Sequence, residues 1–240
     1  MLVIDSHAHC GLTLGWDLIS AEWREAKIDG GVLFSPVEEI YDRSDFRFTD
    51  NEFYRISRKN VHNYLSGLLS RRDNVYCYWF VWNDFELPRK EFSGIKWHRH
   101  SYEPKYNYDS EECERFIVHC CTHKLPILIE EEFENTLEFV KRINNRTKII
   151  IPHFGGLNGG YTRLKEAGLF ENKSIYVDTA LASAWELADF AKDYGVERIF
   201  FGSDFPFGSP ASERRKVERV FSGKDLEKIL SENILEFLNR

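Results

Sequence analysis

The feature that most constrains the fold is a series of short apolar runs with helical patterns between them. These runs predict eight strands: Leu2–His7, Gly31–Ser35, Val75–Trp82, Gly94–Trp97, Pro126–Glu130, Lys148–Pro152, Ser174–Asp178 and Arg198–Gly202. Most are apolar throughout, which is typical of strands covered on both faces. Strands that alternate with helices predict a parallel sheet, and eight such units favour closure into a barrel. We therefore predict an α/β fold, a single-domain (β/α)8 TIM-type barrel over residues 1–240.

Three segments refine this prediction. The connection after Val75–Trp82 is short and contains Pro88, so we expect a single helical turn or no helix there. The charged and aromatic segment Asp42–Asp50 is predicted to form a loop over the mouth of the barrel. The amphipathic segment Lys224–Leu238 is predicted to form the last helix.

Charge and cysteine content limit the expected partners and location. The 32 Lys and Arg residues against 39 Asp and Glu residues give a net charge of −7, so nucleic acid is not an expected partner. No apolar window approaches the roughly 18 residues of a membrane helix, and no secretory signal is expected. The five cysteines form no regular framework, which favours reduced thiols and a cytoplasmic location. We expect a small-molecule substrate, and a homodimer is left open.

Titratable residues mark the C-terminal ends of the predicted strands. His7 and His9 stand two residues apart in the first run, and side chains at this spacing in a strand share a face. The later strands end in, or are followed by, five more titratable residues: Lys96, His98, Glu130, His153 and Asp204. Because one rim of a barrel collects the ends of all its strands, these side chains are predicted to share a cavity.

Imidazole and carboxylate groups in one cavity suit a divalent metal ion such as zinc, manganese or iron. We therefore predict that the chain binds one such ion. Each candidate also has a plain structural alternative. His7 and His9 could be capping or core histidines, and Glu130 could belong to a solvated run of three glutamates. Lys96 could be a salt-bridged barrel lysine.

The motifs of the chain resemble those of the amidohydrolase superfamily. The resemblance is specifically to its amidohydrolase-related branch, which includes metal-dependent hydrolases and non-oxidative decarboxylases such as aminocarboxymuconate-semialdehyde decarboxylase. The matching segments follow the family's order along nearly the whole chain: IDSHAH, GIKWH, LPILIE, IIPHFGG, IYVDTA, RIFFGSDFP and SENILEFL. HAH and GSDFP are specific among them. The resemblance implies a (β/α)8 barrel with one metal ion.

The resemblance also implies roles for individual residues. His7, His9 and Asp204 correspond to metal ligands, and His153 to the residue that orients or deprotonates the water beside the metal. Asp204 is the second candidate for this general base. Lys96 lies near the strand-four lysine that is carboxylated in dinuclear relatives, a modification that this branch usually lacks.

The fifth strand departs from the family pattern. The family has histidine at its end, whereas this chain has Glu130. If Glu130 is the fourth metal ligand, its charge beside Asp204 favours manganese or iron over zinc. If it turns away from the metal, we expect weaker metal binding.

Three functions follow from these predictions. The leading hypothesis is hydrolysis of a small amide, lactone or ester by metal-activated water, with Lys96, His98 and Arg99 placed to hold a substrate carboxylate. The second is non-oxidative decarboxylation of an aromatic or unsaturated acid at the same site. The third is a barrel that has lost catalysis and serves in binding.

Overall fold

The predicted strands form one parallel sheet. The computed structural model describes residues 1–238. Its strands are β1 (Ile4–His9), β2 (Gly30–Phe34), β3 (Val75–Phe80), β4 (Gly94–His98), β5 (Ile127–Glu130), β6 (Ile149–Ile151), β7 (Ile175–Asp178) and β8 (Ile199–Phe200). They lie in sequential order, and each strand pairs in parallel with the next. The predicted (β/α)8 barrel is confirmed.

Helices surround the sheet and pack against its end. They are α1 (Trp16–Glu25), α2 (Glu52–Leu69), α3 (Glu111–Thr122), α4 (Phe133–Ile143), α5 (Tyr161–Glu166), α6 (Ala184–Tyr194), α7 (Pro210–Val220), α8 (Gly223–Glu227) and α9 (Asn233–Leu238). As predicted, no helix lies between β3 and β4, both of which are fully described. The predicted last helix is interrupted, because a π-helical turn, Lys228–Glu232, separates α8 from α9. No helix within residues 1–238 is long and apolar enough to cross a membrane.

Side-chain caps explain where several helices begin. Asn51 accepts a hydrogen bond from the backbone N–H of Tyr54 at the start of α2. Ser183 and Glu186 form a reciprocal capping box at the start of α6. Such caps satisfy N–H groups that have no partner within the helix, so the polar residues fix the first turn.

Backbone hydrogen bonds close the barrel between β1 and the segment that follows β8. Ser6 N donates to Phe201 O at 2.8 Å, and Asp204 N donates to His7 O at 2.7 Å. A Cβ atom on Gly202 would lie 3.0 Å from Cβ of His7, so a side chain there would crowd this junction. The closure therefore places Asp204 beside the histidines of β1.

Among residues 1–238, one apolar cluster fills the inside of the barrel and another fills the layer between the barrel and its helices. The inner cluster comprises Ile4, Val32, Phe34, Tyr78, Leu128, Ile150, Phe200, Ile234 and Phe237. Since Ile234 and Phe237 belong to α9, this helix packs against the interior residues of the barrel. The larger cluster packs between the strands and the surrounding helices.

A buried histidine in this shell makes the fold sensitive to acid. His62 of α2 is 1% exposed and stacks on Trp79 of β3, with ring centroids 3.6 Å apart. Burial lowers the pKa of His62 to about 3. In the unfolded chain a histidine titrates near 6.5, so the unfolded state binds the proton first as the pH falls. The stability that neutral His62 supports is therefore complete above pH 6.5 and is lost between about 6.5 and 3.

We expect His62→Phe, which keeps a ring against Trp79, to remove this acid sensitivity. Between pH 7.5 and 4.5 the wild-type protein should lose roughly 2 to 3 kcal/mol more unfolding free energy than the variant. Urea denaturation at the two pH values measures both losses. Equal losses in the two proteins would contradict the prediction.

Candidate metal centre and active site

The predicted metal ligands of β1 and the β8 end meet at the mouth of the barrel. The Nε2 atoms of His7 and His9 each lie 3.2 Å from Oδ1 of Asp204. All three side chains are buried. Their potential ligand atoms lie within 4.8 Å of one another, close enough to share one ion. The structure thus brings together three of the four predicted ligands, which we call the metal group.

Hydrogen bonds orient both histidines of the metal group. Nδ1 of His7 lies 2.7 Å from Oδ2 of Asp178, and Nδ1 of His9 lies 3.2 Å from the carbonyl oxygen of Ser35. Since a carboxylate and a carbonyl oxygen only accept, each Nδ1–H donates, and Nε2 of each ring is left to face Asp204. Among the described residues Nε2 of His7 is buried and makes no hydrogen bond of good geometry, although Oδ1 of Asp204 lies 3.2 Å away. This orphaned nitrogen fits a metal ligand.

The charges of the metal group are strongly coupled. Burial lowers the pKa of His7, but the charges of Asp178 and Asp204 outweigh this effect and raise it to about 9. At neutral pH Nε2 of His7 therefore carries a proton, which a metal ion would have to displace. Burial raises the pKa of Asp204, but His7 and His9 outweigh burial and hold it far below its usual range. Burial also lowers the pKa of His9. Asp204 is therefore ionised and available to a cation.

Asp178 at the end of β7 links two parts of the site. Besides accepting from His7, its carboxylate accepts from the backbone N–H groups of His153 at 3.0 Å and Ala180 at 3.1 Å. Burial raises the pKa of Asp178, but the neighbouring His7 outweighs this and lowers it. Asp178 thus orients a predicted ligand and the segment after β6 together.

We expect Asp178→Asn to weaken zinc binding by about 10- to 100-fold, because the amide no longer fixes the His7 ring as the carboxylate does. Competition with a chromophoric chelator measures the affinity. Asp189→Asn removes a carboxylate of α6 that pairs with Lys165 and serves as the control. A wild-type affinity in the Asp178 variant would contradict this role.

His153 lies beside the metal group and has a left-handed backbone conformation. Its Nδ1 donates to the carbonyl oxygen of Ala180 at 3.0 Å, and its Nε2 lies 3.9 Å from Oδ2 of Asp204. Burial lowers the pKa of His153, but Glu130 outweighs burial and raises it. His153 and Asp204 both have a left-handed backbone, with φ of 55° and 54°. Such conformations are uncommon for residues with side chains and cluster at functional sites.

Glu130 points to a different set of partners from the metal group. It accepts from Nζ of Lys96 at 2.9 Å and from Nε2 of His100 at 2.7 Å. Nε2 of His98 lies 3.3 Å from the same oxygen as His100. Burial raises the pKa of Glu130, but Lys96 and His98 outweigh burial and hold it well below its usual range. Ligation of the metal by Glu130 stays a prediction.

Arg99 is engaged away from the metal group. Its guanidinium donates to Glu131 at 2.7 Å and to Glu132 at 2.8 Å. Both Arg99 and Glu131 are buried, so the pair has a structural role between the ends of β4 and β5. Substrate binding by Arg99 stays a prediction.

Three residues that contribute to this region were not among the predicted site residues: Asp178, His100 and Glu103. Asp178 ends the seventh predicted strand, so the rule applied to the other strand ends could have found it. His100 continues the two-residue spacing of Lys96 and His98. Glu103 lies in the loop after β4 and has no such signal, although it contacts both imidazoles.

Solved structures share the barrel. One is assigned as a 2-pyrone-4,6-dicarboxylic acid hydrolase from Pseudomonas putida (15% identity, 99% of this chain and 97% of that chain, TM-score 0.73). Another is 5-carboxyvanillate decarboxylase from Sphingomonas paucimobilis (12% identity, 99% of each chain, TM-score 0.73). A third is an amidohydrolase from Burkholderia multivorans with bound zinc (14% identity, 100% of this chain and 99% of that chain, TM-score 0.69). At these identities the likeness shows the fold alone.

A family comparison covers nearly the whole sequence. The amidohydrolase family model matches residues 4–240, a range that includes the whole metal group. No curated protein matches the chain. The match over this length shows that the chain belongs to the amidohydrolase family of metal-dependent enzymes.

Proposed function

We propose that this protein is a metal-dependent hydrolase of a small carbonyl compound: an amide, a lactone or an ester. The observation that carries the proposal is the convergence of Nε2 of His7 and His9 on one oxygen of Asp204. These residues would hold one zinc, manganese or iron ion, with Glu130 as the predicted fourth ligand. Such an ion, when bound, lowers the pKa of water to near 7 and polarises a carbonyl oxygen.

His153 is the first candidate for the general base. Its Nδ1–H is donated to Ala180, so the lone pair of the neutral ring is on Nε2, which faces the metal group. Glu130 Oε2 lies 3.7 Å from that nitrogen and stabilises the imidazolium that forms when His153 accepts a proton. Oδ2 of Asp204, 3.9 Å away, is the second candidate. The proton that leaves the attacking water thus has two acceptors on this side of the site.

The second candidate function is non-oxidative decarboxylation of an aromatic or unsaturated acid. The likeness to 5-carboxyvanillate decarboxylase, and to 2,6-dihydroxybenzoate decarboxylase from Rhizobium, favours it as much as the hydrolase likeness favours hydrolysis. The same His153 would then deliver a proton to carbon instead of accepting one from water.

Isotope labelling separates the two reactions. The protein is loaded with zinc, manganese or iron and assayed against amides, lactones, esters and aromatic acids in water enriched in ¹⁸O. Hydrolysis incorporates one labelled oxygen into the product acid. Stoichiometric release of carbon dioxide without label in the organic product would instead establish decarboxylation.

Metal analysis tests the third hypothesis, a barrel without catalysis. Protein from metal-supplemented growth should contain close to one equivalent of metal. Less than roughly a tenth of an equivalent, together with no turnover in the assays above, would favour the binding role.

A further inference from the structure

Three nitrogen donors converge on one carboxylate next to the metal group. Lys96 Nζ donates to Oε2 of Glu130, and His100 Nε2 donates to Oε1. His98 Nε2 lies 3.3 Å from Oε1 as well. We call Lys96, His98 and His100 the cradle. Both oxygens of the carboxylate therefore have a nitrogen partner, as in the bidentate binding of a carboxylate ligand.

Glu103 contacts both histidines of the cradle on the Nδ1 side of their rings, opposite Glu130. Glu103 lies 3.6 Å from Nδ1 of His98 and 3.6 Å from Nδ1 of His100. Glu103 in turn accepts from the hydroxyl of Tyr41 at 2.9 Å and from Nε of Arg43 at 2.7 Å. These contacts fix both rings with Nε2 towards Glu130.

The geometry favours an anion over a cation in this region. His98, His100 and Glu103 have potential ligand atoms within 4.8 Å of one another. However, Nη2 of Arg43 already lies 3.4 Å from Nδ1 of His100, on the side where a cation would bind. The ammonium of Lys96 is fully buried on the other side. Arg43 and Lys96 thus already supply positive charge on both sides of this region, with Arg43 paired to Glu103. A carboxylate in the cradle would keep the Lys96 ammonium as its charged partner.

The cradle lies between a partly exposed side chain and the metal group. Lys96, His98 and Glu130 are buried, whereas His100 is 33% exposed. On the inner side, Oε2 of Glu130 lies 3.7 Å from Nε2 of His153, which lies 3.9 Å from Asp204. A carboxylate held in the cradle would thus be separated from the metal group by the His153 side chain alone.

We propose that the cradle is a binding subsite for a carboxylate of the substrate, that Glu130 fills it in the absence of substrate, and that the substrate carboxylate displaces Glu130. Only the statement that the bound carboxylate belongs to the substrate rests on the proposed function; the binding of a carboxylate to the cradle does not. Glu130 acts as an internal competitor for the cradle. Once Glu130 is displaced, the substrate carboxylate lies beside His153. The substrate class is accordingly a small carbonyl compound that carries at least one carboxylate.

The test is the binding of acetate to the metal-free full-length chain, measured by calorimetry, with acetamide as the neutral probe. We expect Glu130→Gln to bind acetate at least about tenfold more tightly than the wild-type protein, because the competing charge is gone. Adding Lys96→Met should abolish the gain. Glu218→Gln, which removes an exposed partner of Arg214 on α7, should bind acetate like wild type.

The outcome is independent of turnover, so it separates this inference from the hydrolase proposal. Acetate affinity in Glu130→Gln equal to wild type, or a gain that persists without Lys96, would overturn the inference. Nitrogen-15 spectra of wild-type histidines provide a second measurement if Glu130→Gln does not fold. Saturating acetate should shift the His98 and His100 signals and leave the His62 signal unchanged; unchanged cradle signals would also overturn it.

Discussion

The His9→Ala protein is expected to lose its metal and its turnover together. Nε2 of His9 lies 3.2 Å from the Asp204 oxygen that it shares with His7, so alanine removes one of three converging ligand atoms. Turnover of the substrate found for the wild-type protein should fall by about a thousandfold or more, equivalent to roughly 4 kcal/mol of transition-state stabilisation. Mass spectrometry of the purified protein measures the metal content in parallel.

His123→Ala is the matched control for that experiment. His123 is an exposed histidine just after α3, so its removal should leave metal content and turnover as in wild type. Circular dichroism verifies that both variants are folded. Wild-type turnover and metal content in His9→Ala would refute the ligand set.

The Lys96→Met protein is expected to be less stable by about 3 to 5 kcal/mol, because the substitution leaves the buried Glu130 carboxylate without its ammonium partner. Lys96 is fully buried, and its Nζ lies 2.9 Å from Oε2 of Glu130. Methionine retains most of the side-chain volume beside Phe34, so packing contributes little to the loss. Urea denaturation at pH 7.5 measures the unfolding free energy.

A double-mutant cycle with Glu130→Gln isolates this electrostatic contribution. Replacing one partner of a buried ion pair lowers the unfolding free energy strongly, whereas replacing both changes it little. The double variant should therefore recover more than half of the stability that Lys96→Met loses. Additive effects of the two substitutions, or a loss below about 1 kcal/mol in Lys96→Met, would show that the ion pair is not the cause.

The barrel could be predicted because each strand is recognisable from its own apolar residues. The order and direction of the strands then follow from the alternation with helices, without knowledge of any contact. Boundaries were less predictable. The first strand is Ile4–His9 rather than Leu2–His7, since its last residues pair through backbone groups that leave no trace in the polarity of the side chains. The π-helical turn before α9, in which Ile229, Leu230 and Ser231 are buried, likewise has no signal in the sequence pattern.

The metal group could be predicted because its members stand at strand ends, where topology alone fixes their neighbourhood. The direction in which a long side chain points is less predictable than its position, since several partners compete for its polar end. Glu130 is predicted as the fourth metal ligand, but its strand-end position gave no sign that its carboxylate also contacts Lys96 and His100. The partner set of Glu130 depends on Glu103, whose loop position carries no regular pattern. The positions of the site residues are therefore predictable from the strand ends, whereas the contacts among their side chains depend on loop residues such as Glu103.

The proposed chemistry depends on His7, His9 and Asp204 binding one ion at the mouth of the barrel. Anomalous diffraction from crystals grown with saturating zinc or manganese locates such an ion. We expect one strong peak about 2.0 to 2.3 Å from Nε2 of both histidines and from an oxygen of Asp204. No ordered ion at this position, or an ion bound at His98, His100 and Glu103 in its place, would refute this ligand set.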